Sequence, residues 1–81
     1  MTVQLDQLDI GESATVVSLQ RTGEIHRRLR DIGLVEGTVV ECIGRSPCGD
    51  PSAYRIRGAV FAIRAIDAAG IGVEMHFAKE R

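Results

Sequence analysis

The sequence contains no tryptophan, one tyrosine and two phenylalanines. So few aromatic rings leave little on which nucleic-acid bases could stack, and a net charge of −1 argues against a chain that lives on phosphate backbones. Long apolar runs are missing too. The longest, Ala59-Val60-Phe61-Ala62-Ile63, is far too short to cross a bilayer. No basic, apolar and small-residue series opens the chain, so no secretion signal is expected and the reading places it in the cytoplasm. The two cysteines, Cys42 and Cys48, form no CxxC pair, and in that compartment both are expected as free thiols. Ser13, Ser18, Ser46 and Ser52 lie in no nucleophile-elbow context, and neither histidine has an evident Ser or Cys partner in sequence. The glycines form no phosphate-binding loop. These absences argue against an enzyme.

What is present is one small domain over residues 1–81. A chain of this length buries about 60–65% of the surface it exposes when unfolded. Charge is unevenly placed. Residues 21–64 carry eight arginines against five acids, a net of +3, and nine of the ten basic residues are arginine. Arginine suits planar, multidentate contacts.

The most self-consistent stretch is His26 to Gly37. Ile25, Leu29 and Ile32 stand at i, i+4 and i+7, the apolar stripe of a helix over about 23–32. Thr22 is placed to cap its start and Glu24 to complement its dipole. Gly33 is predicted to end the helix in a left-handed conformation, with Leu34 folding back onto Leu29. Gly37 is predicted to take the positive φ of the next turn. Strands are expected over Ala14–Leu19, Thr38–Ile43, Tyr54–Arg57, Val60–Ile63 and Ile71–Met75, with Gly58-Ala59 as a type II′ hairpin turn. Gly44 to Ser52 holds both prolines and reads as a loop. A helical turn is expected at Asp67–Gly70. Five short strands and one helix predict a mainly β protein, closed into a small barrel with the helix between the first two strands.

Arg27, Arg28 and Arg30 are the candidate working surface. Arg28 borders the apolar stripe, while Arg27 and Arg30 point away from it. The plainer alternative pairs Arg28 with Glu24 and Arg27 with Asp31 as a solvated, salt-bridged face. His26 and His76 could contribute to a metal site with Cys42, Cys48 or a carboxylate, but no ligand spacing supports one. Cys48, near Arg45, reads as an ordinary thiol.

Several motifs in order resemble the FeoA family of bacterial ferrous iron transport: RRLRDIGL at residues 27–34, Gly49-Asp50-Pro51, Arg57-Gly58 followed by Ala62-Ile63-Arg64, and the opening LDQLDIGESATVVSL. The likeness covers roughly residues 5–74. Ile10, Glu36 and Cys48 depart from the family pattern, which has proline at the first two positions and leucine at the third. The resemblance implies an SH3-like β-barrel and no cofactor. As a partner it implies FeoB, a membrane transporter with a cytoplasmic GTP-binding domain. On that footing the chain is expected to be a non-enzymatic cytosolic accessory protein, peripheral to the inner membrane only through its partner. Arg27, Arg28 and Arg30, with Pro47, Asp50 and Pro51, are the expected contact residues. Binding or sensing of Fe²⁺, activation of the transporter's GTPase in trans, and self-association are left open.

Overall fold

The computed structural model describes residues 2–19 and 23–76. Six strands form one antiparallel sheet: β1 (Thr2–Gln4), β2 (Ser13–Leu19), β3 (Val39–Arg45), β4 (Ser52–Ile56), β5 (Ala59–Ile63) and β6 (Ile71–His76). Helix α1 (Gly23–Asp31) lies between β2 and β3, and the four-residue α2 (Ala65–Ala68) between β5 and β6. A single 3₁₀ turn, Leu5–Gln7, follows β1. The sheet order is β1-β6-β2-β3-β4-β5.

Two expectations are corrected here. There are six strands rather than five, because β1 is a three-residue strand too short to show alternation; the helix therefore follows the second strand. The hydrogen-bonded ladder is also open: β1 and β5 form its two ends and are not paired with each other. Leu29 of α1 and Leu34 beyond it join the core, so a helix covers apolar surface that strand closure would otherwise enclose.

Alternation is clearest on β3 and β4. Val40 and Cys42 are buried on β3 while Val39 is 54% exposed. On β4, Tyr54 and Ile56 are buried and Arg55 points to solvent; Arg57, exposed in the turn that follows, donates from Nε to Gly33 O at 3.4 Å. Leu5, Leu8, Val16, Leu34, Ile71 and Val73 complete the centre. Arg55 pairs with Glu41 across the strands at 2.9 Å, an exposed bridge worth at most about 1 kcal/mol. The β4–β5 connection turns one residue earlier than expected. Ile56 opposes Ala59, and Arg57 (φ 53) and Gly58 (φ 84) both take positive φ. That is a type I′ turn, whose twist suits the flanking strands.

Candidate interaction surface

Helix α1 ends as its sequence predicts. Gly33 has φ +98, Leu34 N–H donates to Leu29 O and Gly33 N–H to Arg30 O, both at 2.9 Å. These are the two bonds of a Schellman ending, and they satisfy carbonyls the helix would otherwise leave unpaired. Leu29 and Leu34 are both buried, so the apolar contact of that motif anchors the helix to the core. Buried Thr38 braces the next turn, its hydroxyl donating to Gly33 O at 2.8 Å. The cap proposed for Thr22 lies outside the described residues.

This anchoring fixes which arginines face outward. Arg27, Arg28 and Arg30 are all exposed. The helical ion pairs Glu24–Arg28 and Arg27–Asp31 are not formed; among the described residues the ion pair within 4 Å is Arg55–Glu41. Three neighbouring guanidiniums are thus uncommitted to any described carboxylate. Arg28 lines a groove of about 150 Å³ with Leu29 and Ile32, facing Phe61, Ala62 and Ile63 of β5 and Asp67 of α2. Arg27 and Arg30 lie outside it.

The connection between β3 and β4 is shorter than the predicted Gly44–Ser52 loop, since both end residues belong to strands. It is closed by its own backbone: Gly49 N–H donates to Ser46 O at 2.8 Å and Ser46 N–H to Pro51 O at 3.1 Å. Pro47, Asp50 and Pro51 are exposed. Asp50 also has an internal task. Its Oδ1 accepts the Ala65 N–H at 2.7 Å, which satisfies one free amide at the start of α2 from 15 residues away. The loop and α1 are therefore linked through α2, which Asp50 ties at one end and whose Asp67 lines the groove with Arg28. Asp50→Ala should lower stability by about 1 kcal/mol, the usual worth of a capping carboxylate. Amide exchange at Ala65 should rise with it, and Asp50→Asn should retain most of both.

Arg45 was not singled out by the sequence. Its Nε donates to Ser52 Oγ at 2.9 Å and its Nη2 to Leu8 O at 2.7 Å. It pins the chain's opening segment to the β3–β4 end of the sheet. Nη2 also lies 3.8 Å from Cys42 Sγ, so the guanidinium of this exposed residue reaches back to the buried thiol. Cys42 is buried and Cys48 exposed, and both are free. Among the described residues no group of three or more His, Cys, Asp or Glu is gathered as a metal site. The side chains of His26 and His76 lie outside the description.

Together these features define a class: a small antiparallel β domain that presents a cationic helix, a moored loop and a shallow groove. Residues 3–75 match the FeoA domain family, and the chain belongs to that family. It is 32% identical over 73 residues to the Fe(2+) transport protein A/Fe(2+) transporter FeoB fusion protein of Porphyromonas gingivalis; the match covers 90% of this chain and 9% of that protein. The solution structure of the Chlorobium tepidum FeoA protein superposes with a TM-score of 0.88 at 32% identity, over 96% of this chain and 74% of that one. Stenotrophomonas maltophilia FeoA, crystallised with zinc and described as an SH3 domain protein, gives a TM-score of 0.77 at 33% identity, over 91% and 89% of the two chains. The FeoA domain is thereby associated with ferrous iron transport, and in one relative it is joined covalently to the transporter FeoB.

Proposed function

We propose that this protein is a non-enzymatic accessory domain that docks on the cytoplasmic side of a FeoB-type transporter and modulates ferrous iron uptake. The observation that carries this reading is the fusion: in the Porphyromonas gingivalis relative, the matching domain and the transporter share one chain. A domain held beside a partner at high effective concentration needs only a modest surface to engage it. No described helix is long and apolar enough to cross a membrane, so membrane association would come through that partner.

The contact surface in this reading is Arg27, Arg28 and Arg30 of α1 with Pro47, Asp50 and Pro51 of the loop. Guanidiniums uncommitted to any described carboxylate suit carboxylate recognition because each presents a fixed fork of donors. Reversing Arg27 and Arg30 to Glu should weaken binding to the transporter's cytoplasmic domain at least about tenfold at low salt, through slower association, with the difference shrinking as salt screens it. The urea midpoint should stay nearly unchanged, since neither side chain enters the core. Unchanged affinity in a folded double variant would remove α1 from the contact map.

A metal-handling role is the second reading, favoured by the zinc complex of the Stenotrophomonas relative. Anaerobic titration of the reduced protein with Fe²⁺ separates the two. The docking reading expects no stoichiometric site, and the metal reading expects one metal per chain. Rates of GTP hydrolysis by the transporter domain, with and without this protein, test whether docking also supplies an arginine in trans.

A further inference from the structure

We propose that the outer edge of β5 receives an extended, acidic peptide segment of a partner as an added strand. Strand β5 ends the sheet, and the direction of its backbone groups follows from bonds deeper in. Cys42 exchanges hydrogen bonds with the β2 side, its N–H to Glu12 O at 3.0 Å and its O from Gly11 N–H at 2.7 Å. Because antiparallel pairing alternates residue by residue, Glu41 must bond toward β4. Its partner Arg55 bonds back to β3, and Tyr54 bonds outward to Phe61. Phe61, with Ala59 and Ile63, therefore spends its N–H and C=O on β4. Val60 and Ala62 direct theirs to the open edge. Both residues are exposed.

A groove opens beside part of that edge. The groove against α1 is lined by inward-facing Phe61 and Ile63 and also by outward-facing Ala62, so it reaches the edge at Ala62. Arginines flank the edge at both ends, while the groove wall itself carries one charge of each sign, Arg28 and Asp67. Arg57 precedes β5 in the turn, Arg64 follows it directly, and both are exposed; Arg28 lines the groove wall. Arg57 and Arg64 bracket the five residues of β5, or ~16 Å at about 3.3 Å per residue. A segment with carboxylates near its two ends matches this spacing, with main-chain bonds to Val60 and Ala62 between them.

The same arginines exclude a second copy of this chain. Antiparallel pairing of two β5 strands about Phe61 would set Arg64 of each copy within one residue of Arg57 of the other. Like charges placed so are destabilising, and edge charges of this kind guard strands against self-association. The proposal rests on the reading of this chain as an interaction domain, and not on the partner's being FeoB. Its probe is accordingly a peptide, independent of any transporter assay.

The probe is the octapeptide Glu-Thr-Val-Thr-Val-Thr-Val-Glu, compared with a version carrying Lys at both ends and one N-methylated at its central residues. The readout is amide hydrogen exchange of the full-length protein. In the free protein, Val60 and Ala62 should exchange fast while Phe61 and Ile63 are protected. The Glu-ended peptide should slow Val60 and Ala62 at least tenfold, and the two controls should not. Ala62→Pro removes an edge donor that β4 does not use and should abolish the effect. Arg64→Glu, which leaves the edge intact, should move the preference toward the Lys-ended peptide. The proposal is overturned if both amides are already protected in the free protein at every concentration, since the chain then covers its own edge. Protection that rises with protein concentration alone would identify a second copy as the occupant and overturn it equally. So would peptide binding that leaves both amides unchanged.

Discussion

Tyr54→Ala is expected to cost about 3–5 kcal/mol, the range for removing a large aromatic side chain from a core. A domain of this size has roughly 4–12 kcal/mol in total, so the variant should be largely unfolded or lose most of its urea midpoint. Tyr54 is the largest fully buried side chain, 1% exposed, and lies in register with Cys42 on one side and Phe61 on the other. Tyr54→Phe keeps the ring and should cost less than about 1 kcal/mol. The hydroxyl's bond to Leu5 O is 3.4 Å long, at the weak end of such contacts. The pair separates volume from polarity at one position.

The hydroxyl should show itself at high pH instead. Burial raises the Tyr54 phenol above its usual value of 10.0, with the nearby Ser52 hydroxyl pulling the other way. The native state thus holds this proton more tightly than the unfolded chain does. The associated stability is complete below pH 10 and is lost as pH rises from there through the native value. Urea midpoints measured from pH 8 to 11 should fall more steeply above pH 10 in the wild-type protein than in Tyr54→Phe. Parallel curves would mean the phenol titrates normally.

Gly33→Val is the second large effect, about 2–3 kcal/mol, or roughly 10–20 °C in Tm for a domain of this size. Two causes are present and the backbone one dominates. At φ +98 a β-branched residue is strained wherever it is placed. A Cβ there would also meet Arg57 Cδ at 2.6 Å, but an exposed arginine can swing aside. Adding Arg57→Ala to Gly33→Val should therefore recover little. Gly33→Asn, which tolerates the left-handed region, should lose much less than valine. Full rescue by Arg57→Ala would show that crowding, and not φ, makes glycine necessary.

Those two residues also mark what the sequence could and could not show. The ending of α1 was legible because its determinants lie within six consecutive positions: Leu29, Gly33 and Leu34 each favour the same geometry. Alternation through Tyr54, Arg55, Ile56 and Arg57 identified the buried face of β4 for the same local reason. The hairpin turn was misplaced by one residue because both candidate registers keep Phe61 and Ile63 on the face of Tyr54 and Ile56. Alternation cannot choose between them, and an arginine at positive φ is not an expected turn residue. The Asp50–Ala65 bond, the reach of Arg45 to Leu8, and the pairing of β1 with β6 all join distant positions. Nothing in local composition encodes them. Of the candidate surface, the arginines of α1 were legible as an off-stripe cluster. The groove beside β5 was not, because it exists only where two elements meet.

The sheet order has a consequence for how the molecule forms. Strand β6, the last of the described strands, sits between the first two, with Thr2 opposite Glu74 and Val16 opposite Val73. Neither β1 nor the adjoining edge of β2 has a neighbour until nearly the whole domain has been synthesised. Contacts of such sequence separation are slow to form, because loop closure precedes any gain from pairing. The hairpin of β4 and β5, closed by two residues, has no such delay. Folding should therefore advance from the middle of the chain outward, and β6 should be the strand whose arrival completes it. A nascent chain interrupted before Ile71 would expose Val16 and the β2 edge together, an adhesive surface that the finished domain never presents.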